Sequence, residues 1–139
     1  MLTTVQRIRL YGLVIGVAVI LVGVMFNVQA SNKLRDIRLM SGARTLSYAL
    51  EQYYMDYLRY PAGNVNLKLD TTLTENGFTK GSHVYFQGKF KSFHAVTYQG
   101  KEEGYVIRFR LSNTWPLEGI NGVYCTVSTN YTVSCGEKS

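Results

Sequence analysis

The chain opens on an unbroken apolar run. From Leu10 to Val28 it reads LYGLVIGVAVILVGVMFNV, and no Lys, Arg, Asp or Glu occurs between Arg9 and Lys33. A bilayer core of about 30 Å needs about 20 apolar residues at 1.5 Å each. With Ile8 and Ala30 as shoulders the run is long enough, and Asn27 is its main polar side chain. It predicts a membrane-spanning helix.

A cleaved signal peptide is the alternative, with Val28-Gln29-Ala30 as a small-residue cut site. Two features oppose it: the run is long for a signal peptide, and the helical pattern continues through the proposed cut. Gly12-x-x-x-Gly16 has the spacing that lets two spanning helices approach closely, although glycine is common in such helices anyway.

Beyond the run the period changes. Ile37, Met40, Ala43, Leu46 or Ser47, Leu50, Tyr53 and Tyr57 recur at steps of three and four, one apolar stripe on a helix. Arg35, Arg38, Arg44, Glu51 and Arg59 lie off the stripe, and Arg35-Asp36 begins a charged collar just past the apolar run. Pro61 disfavours helix at Tyr60, and Ala62-Gly63-Asn64 turns the chain, so the helix should end within Leu58–Tyr60. One helix from Ile8 to Leu58 would be ~75 Å long. Tyr48, Tyr53, Tyr54, Tyr57 and Tyr60 at its end read as core packing plus surface rings with solvated hydroxyls.

The rest of the chain reads as β. Residues 64–82 mix Asn, Lys, Thr and Gly with scattered Leu67, Leu69, Leu73 and Phe78, and predict a loop with at most a short helix near Leu69–Asn76. Val84–Phe86 is a short strand. Phe93–Tyr98 and Tyr105–Leu111 flank a charged loop, 99–104, as a hairpin. Tyr105, Ile107, Phe109 and Leu111 alternate with Val106, Arg108 and Arg110, so one strand face should meet the helix and the other water. Tyr124–Ser128 and Tyr131–Cys135 form a last hairpin around a three-residue turn, Thr129–Tyr131. That register sets Cys125 opposite Cys135, on one face with Val127 and Val133. The expected organisation is 1–31 for tail and membrane helix, 32–60 for an amphipathic stalk helix, and 61–139 for a β-rich head with loop 61–82 and hairpin 123–136. The fold class is α+β: a long N-terminal helix, membrane half plus amphipathic half, on a small antiparallel sheet.

Charge and cysteine use refine the picture. Residues 1–59 carry seven Lys/Arg against three Asp/Glu, and residues 60–139 eight against six, giving +4 and +2 of the net +6. The excess flanks the apolar run at Arg7, Arg9, Lys33, Arg35, Arg38 and Arg44, where phospholipid headgroups explain it better than nucleic acid does. No basic stripe with interleaved aromatics marks the β-rich part, so nucleic-acid binding is not expected. By counting alone the positive-inside rule favours a cytoplasmic C-terminal part. Outside the cytoplasm, paired cysteines such as Cys125 and Cys135 are expected to bond, contributing somewhat under ~3 kcal/mol for so short a loop. The alternative is two buried thiols in a cytosolic hairpin.

Nothing points to catalysis. His83 and His94 lack a Cys or carboxylate at ligand spacing, and Gly-x-Ser-x-Gly, His-Glu-x-x-His and phosphate-loop patterns do not occur. Glu102-Glu103 reads as a solvated turn. No catalytic residue, cofactor or metal site is expected.

Asn32–Arg38 (NKLRDIR), Leu46–Asp56 (LSYALEQYYMD) and Arg59-Tyr60-Pro61 together resemble the type IV pilins and type II secretion pseudopilins. That family carries Arg-Asp after its apolar helix, then Ala-Leu-Glu-x-Tyr-Tyr-x-Asp and an aromatic-Pro stop. The likeness covers residues 8–62 and loosens afterwards. It implies a lollipop of helix and sheet, a bacterial structural subunit, and a C-terminal part outside the cytoplasm with the N-terminus inside. A C-terminal disulfide is a further pilin trait. The implied partners are membrane lipid, copies of the chain or other pilin-like subunits, and an assembly platform. The assembly helix would be Leu10, Gly12, Leu13, Gly16, Val17, Ile20 and Val24; stalk-to-head packing would use Met40, Leu46, Leu50, Tyr53 and Tyr57.

The start departs from the family. Met1–Arg9 (MLTTVQRIR) has no Gly-Phe-Thr-Leu-x-Glu, and the fifth residue after Gly12 is Val17. In the family that glutamate is thought to pair with a neighbour's terminal amine during assembly. The departure supports an alternative function, a membrane-anchored extracytoplasmic binding module that never polymerises. The calcium-ligand turns of the major secretion pseudopilin are not evident, and no calcium site is expected.

Overall fold

The computed structural model describes residues 4–90 and 95–137, with side chains from residue 12 onward except that of Lys89. Its first element, α1, is one helix from Thr4 to Tyr57. Contacts divide the chain into two units, Met1–Lys33 and Leu34–Ser139.

In the first unit α1 is long and apolar enough to cross a bilayer. Its described side chains up to Ser31 are exposed. Asn27 donates its side-chain amide to the Gly23 carbonyl at 2.9 Å. That bond satisfies one amide N–H of the apolar run's main polar side chain within its own helix, which lowers its cost in hydrocarbon.

In the second unit the remainder of α1 packs on an antiparallel sheet. The strands are β1 (Gly63–Leu67), β2 (Leu69–Thr74), β3 (Val84–Lys89), β4 (Val96–Lys101), β5 (Gly104–Arg110), β6 (Tyr124–Ser128) and β7 (Val133–Gly136). Five make the main sheet in the order β1-β4-β5-β6-β7, and β2 pairs with β3 separately. A 3-10 turn at Pro116–Glu118 lies between β5 and β6. The core joins Leu39, Ala43, Leu46, Leu50 and Tyr53 of α1 to Val96, Tyr98, Tyr105, Ile107, Phe109 and Val127 of the sheet.

The helix stops at Tyr57, a residue before the expected window, because Leu58 turns left-handed at φ 55°. Its N–H still reaches the Tyr54 carbonyl at 2.7 Å, and Pro61 follows as a stop. This cap uses leucine where glycine is usual, and the Leu58 side chain is left exposed.

Segment 64–82 is not a loop with a short helix. It holds β1 and β2, and no helix lies in Leu69–Asn76. β1 is an edge strand that buries little beyond Leu67 and half of Val65, while β2 has a register shift around Asp70, at φ 68°. Edge strands with one or two inward residues carry almost no alternating pattern, so the thread of Asn and Thr concealed them. Val84–Phe86 extends to six residues as β3.

The middle hairpin is tighter than expected. Lys101 pairs with Gly104, so the turn is only Glu102-Glu103, and Gln99, Gly100 and Lys101 belong to β4. Gly100 is a close-approach glycine: a Cβ there would sit 2.1 Å from both the Pro61 carbonyl and the Tyr98 hydroxyl. Of the segment Phe93–Tyr98, Phe93 and His94 lie outside the described residues, and the strand begins at Val96. The alternation of Tyr105, Ile107, Phe109 and Leu111 holds: all four are buried.

In the last hairpin Cys125 pairs with Cys135 and Val127 with Val133, as the symmetric spacing implies. The turn is longer than three residues, because β7 starts at Val133. Tyr131 is left-handed at φ 60°, and the Asn130 side-chain Oδ1 accepts from the Ser128 hydroxyl and the Thr132 N–H.

Candidate functional site

The best-defined feature of the second unit is the seam between the Leu34–Tyr57 part of α1 and the sheet. Its buried helix positions are Asp36, Leu39, Ala43, Leu46, Ser47, Ala49, Leu50 and Tyr53. The steps from 36 to 39, 43, 46, 50 and 53 are three and four, which place these residues on one side of the helix. Of the expected packing residues, Leu46, Leu50 and Tyr53 are buried and Met40 is half-buried. Tyr57 is 40% exposed, yet its ring lies 4.6 Å from that of Tyr53. Ile37 is exposed, and its place on the seam belongs to Asp36.

Asp36 forms the clasp at one end. It is 1% exposed and accepts from the backbone N–H of Ser112 at 2.8 Å, that of Asn113 at 3.3 Å and the Trp115 indole at 3.0 Å. A buried carboxylate needs such donors to replace water. The residue read as part of a charged collar is thus the hydrogen-bonding centre of the loop after β5. Following the helical phase back from Leu50 through Leu46, Ala43 and Leu39 leads to position 36; only the assumption that a charge faces water hid it.

Tyrosines build the other end. The Tyr105 hydroxyl and Ser47 Oγ share a short hydrogen bond across the buried seam. Tyr98 donates to the Pro61 carbonyl at 2.7 Å, tying the end of the helix to β4. Tyr60 donates to both Glu51 carboxylate oxygens, each at 2.9 Å. Burial raises the Tyr98 and Tyr105 hydroxyl pKa values well above the ordinary 10. Burial and then the Glu51 carboxylate do the same for Tyr60. Tyr48 stacks on Tyr131 of the last turn, with ring centroids 5.3 Å apart. Hydrogen bonds of the Tyr98 and Tyr105 hydroxyls thus close this end of the seam.

On the separate β2–β3 hairpin, Glu75 accepts from the Ser82 N–H and hydroxyl and from the His83 N–H. The bonds from Ser82 lead in holding its carboxyl down at about 2. The His83 ring packs edge-on against Tyr85. His94 lies outside the described residues. Among the described residues no group of three or more His, Cys, Asp or Glu is placed to hold a metal ion.

Among the expected assembly residues, Gly12, Leu13, Gly16, Val17, Ile20 and Val24 are helical and exposed, while the Leu10 side chain lies outside those described. A Cβ at Gly12 or Gly16 would meet nothing within 4 Å, so that small-residue face is open in the single chain. Cys125 and Cys135 form a disulfide, which removes the alternative of two free thiols. Comparison with family models, curated proteins and solved structures finds no match to this chain.

Proposed function

We propose that this chain is a non-enzymatic, pilin-like or pseudopilin-like structural subunit, anchored in the membrane by α1 with its β-rich part outside the cytoplasm. One observation carries the reading. A single helix begins as an apolar segment of spanning length and ends as the spine of an antiparallel sheet. Such an element serves retention in a bilayer and presentation of a head. The disulfide supports an oxidising compartment for that head. The open Gly12–Gly16 face supports contact with the helices of other subunits.

A second reading is a membrane-anchored binding module that does not polymerise. One feature favours it: no Asp or Glu precedes Asp36, so the apolar helix offers no carboxylate to a neighbour's amine. Mass spectrometry of membrane-extracted protein and negative-stain images of sheared surface material separate the two. A shortened, N-methylated terminus together with filaments supports the first. An unprocessed terminus with no filaments supports the second and overturns polymerisation.

A further inference from the structure

We infer that the closed loop Trp115–Ile120 is a second membrane contact, its tip Leu117 entering the interfacial layer of the anionic phospholipid bilayer that holds the apolar segment of α1. Leu117 is fully exposed, more so than any other large apolar side chain described. The loop that presents it is closed by backbone hydrogen bonds. Trp115 and Ile120 exchange backbone hydrogen bonds at 2.8 and 3.1 Å. Within that closure the Glu118 N–H reaches the Trp115 carbonyl, the Gly119 N–H reaches that of Pro116, and Gly119 takes the left-handed φ of 76°. Trp115 and Ile120 pack on the core while Leu117 does not. The fold therefore holds a leucine in water at the tip of a hydrogen-bonded loop.

A single exposed leucine needs no explanation by itself. Its tether singles this one out. The Trp115 indole and the Ser112 and Asn113 N–H groups all bond to Asp36. Asp36 follows Ala30, the shoulder of the apolar run, by six residues in sequence. Six residues span about 9 Å as helix and about 20 Å at full extension. The headgroup layer is itself about 5–7 Å deep on each side. Chain length alone keeps the base of the loop near lipid. Lys33 and Arg35 within that stretch and Arg38 just beyond it form a basic set suited to anionic headgroups, beside exposed Leu34 and Ile37. Trp115, the chain's only tryptophan, is the residue type favoured at that depth. Leu58 is comparably apolar and 78% exposed, but it lies beyond the far end of the helix, with no such tether.

The inference rests on the bilayer anchor of the proposed function and not on polymerisation. The test uses the full chain in phosphatidylglycerol-containing vesicles, with Leu117→Cys or Leu58→Cys carrying an NBD label and the native disulfide intact. Both sites are exposed, so neither label disturbs the core. We expect blue-shifted emission at Leu117 and reduction by external dithionite at least about ten-fold slower than at Leu58, from burial a few ångströms into the interface. Equal reduction rates overturn the inference. Protection that disappears when lipid dilutes the protein assigns the site to a second copy and also overturns it. Unchanged protection in zwitterionic vesicles overturns the anionic component. Alkaline extraction of the same vesicles separates the two levels: released protein means that the anchor fails, whereas retained protein with an open Leu117 label means that only the loop contact fails.

Discussion

Replacing Asp36 with alanine removes one carboxylate and strands three donors, the N–H groups of Ser112 and Asn113 and the Trp115 indole. A hydrogen bond to a charged group contributes about 1.5–3 kcal/mol, and a stranded buried donor costs about 1–3 kcal/mol. Ser112, Asn113 and Trp115 are only half-buried, so water entering the space left by the carboxylate would satisfy part of the loss. The net cost for Asp36→Ala is therefore about 3 kcal/mol, which lowers the Tm of a domain of ~100 residues by about 15 °C. Asp36→Asn keeps one acceptor oxygen but turns an amide toward donors, and should cost about half as much. Glu103→Ala, in the exposed β4–β5 turn, should stay within about 0.5 kcal/mol. The assay is thermal unfolding of the full chain in detergent, followed by far-ultraviolet circular dichroism and by Trp115 emission. If Asp36→Ala melts no lower than Glu103→Ala, the carboxylate clasp does not hold the loop to the helix and the reasoning is wrong.

Two further outcomes follow from the same structure. Cys125→Ser with Cys135→Ser should lower stability by roughly 2–3 kcal/mol in urea unfolding, since the bridge closes a loop with a separation of only ten residues; unreduced wild type should resist thiol alkylation, and rapid labelling would contradict the bond. The buried Tyr98 and Tyr105 hydroxyls ionise well above their unfolded value of 10. Because the folded state keeps its protons while the unfolded state loses them, their contribution is complete below about pH 10 and is lost as pH rises toward the folded values. Urea midpoints should be flat between pH 8 and 9.5, to within about 0.2 M, and fall above about pH 10; Tyr98→Phe together with Tyr105→Phe should flatten that fall, and an unchanged slope would count against the assignment.

Much of this molecule is local, and what is local can be read along the chain. Charge-free spacing from Leu10 to Val28 sets the apolar helix, because lipid demands only length and apolarity. Steps of three and four show which part of α1 has a second face. Alternation in Tyr105–Leu111 marks a half-buried strand, and the symmetry of Cys125 and Cys135 about Asn130 sets their pairing, because each depends on spacing within one or two strands. Tertiary contacts decided the rest. Only the β5–β6 connection explains why Asp36 turns inward, since its donors lie more than seventy residues away. Only pairing with β4 makes a strand of Gly63–Leu67, whose own composition reads as loop. Edge strands and buried charges take their state from partners distant in sequence, and periodicity carries no record of those partners.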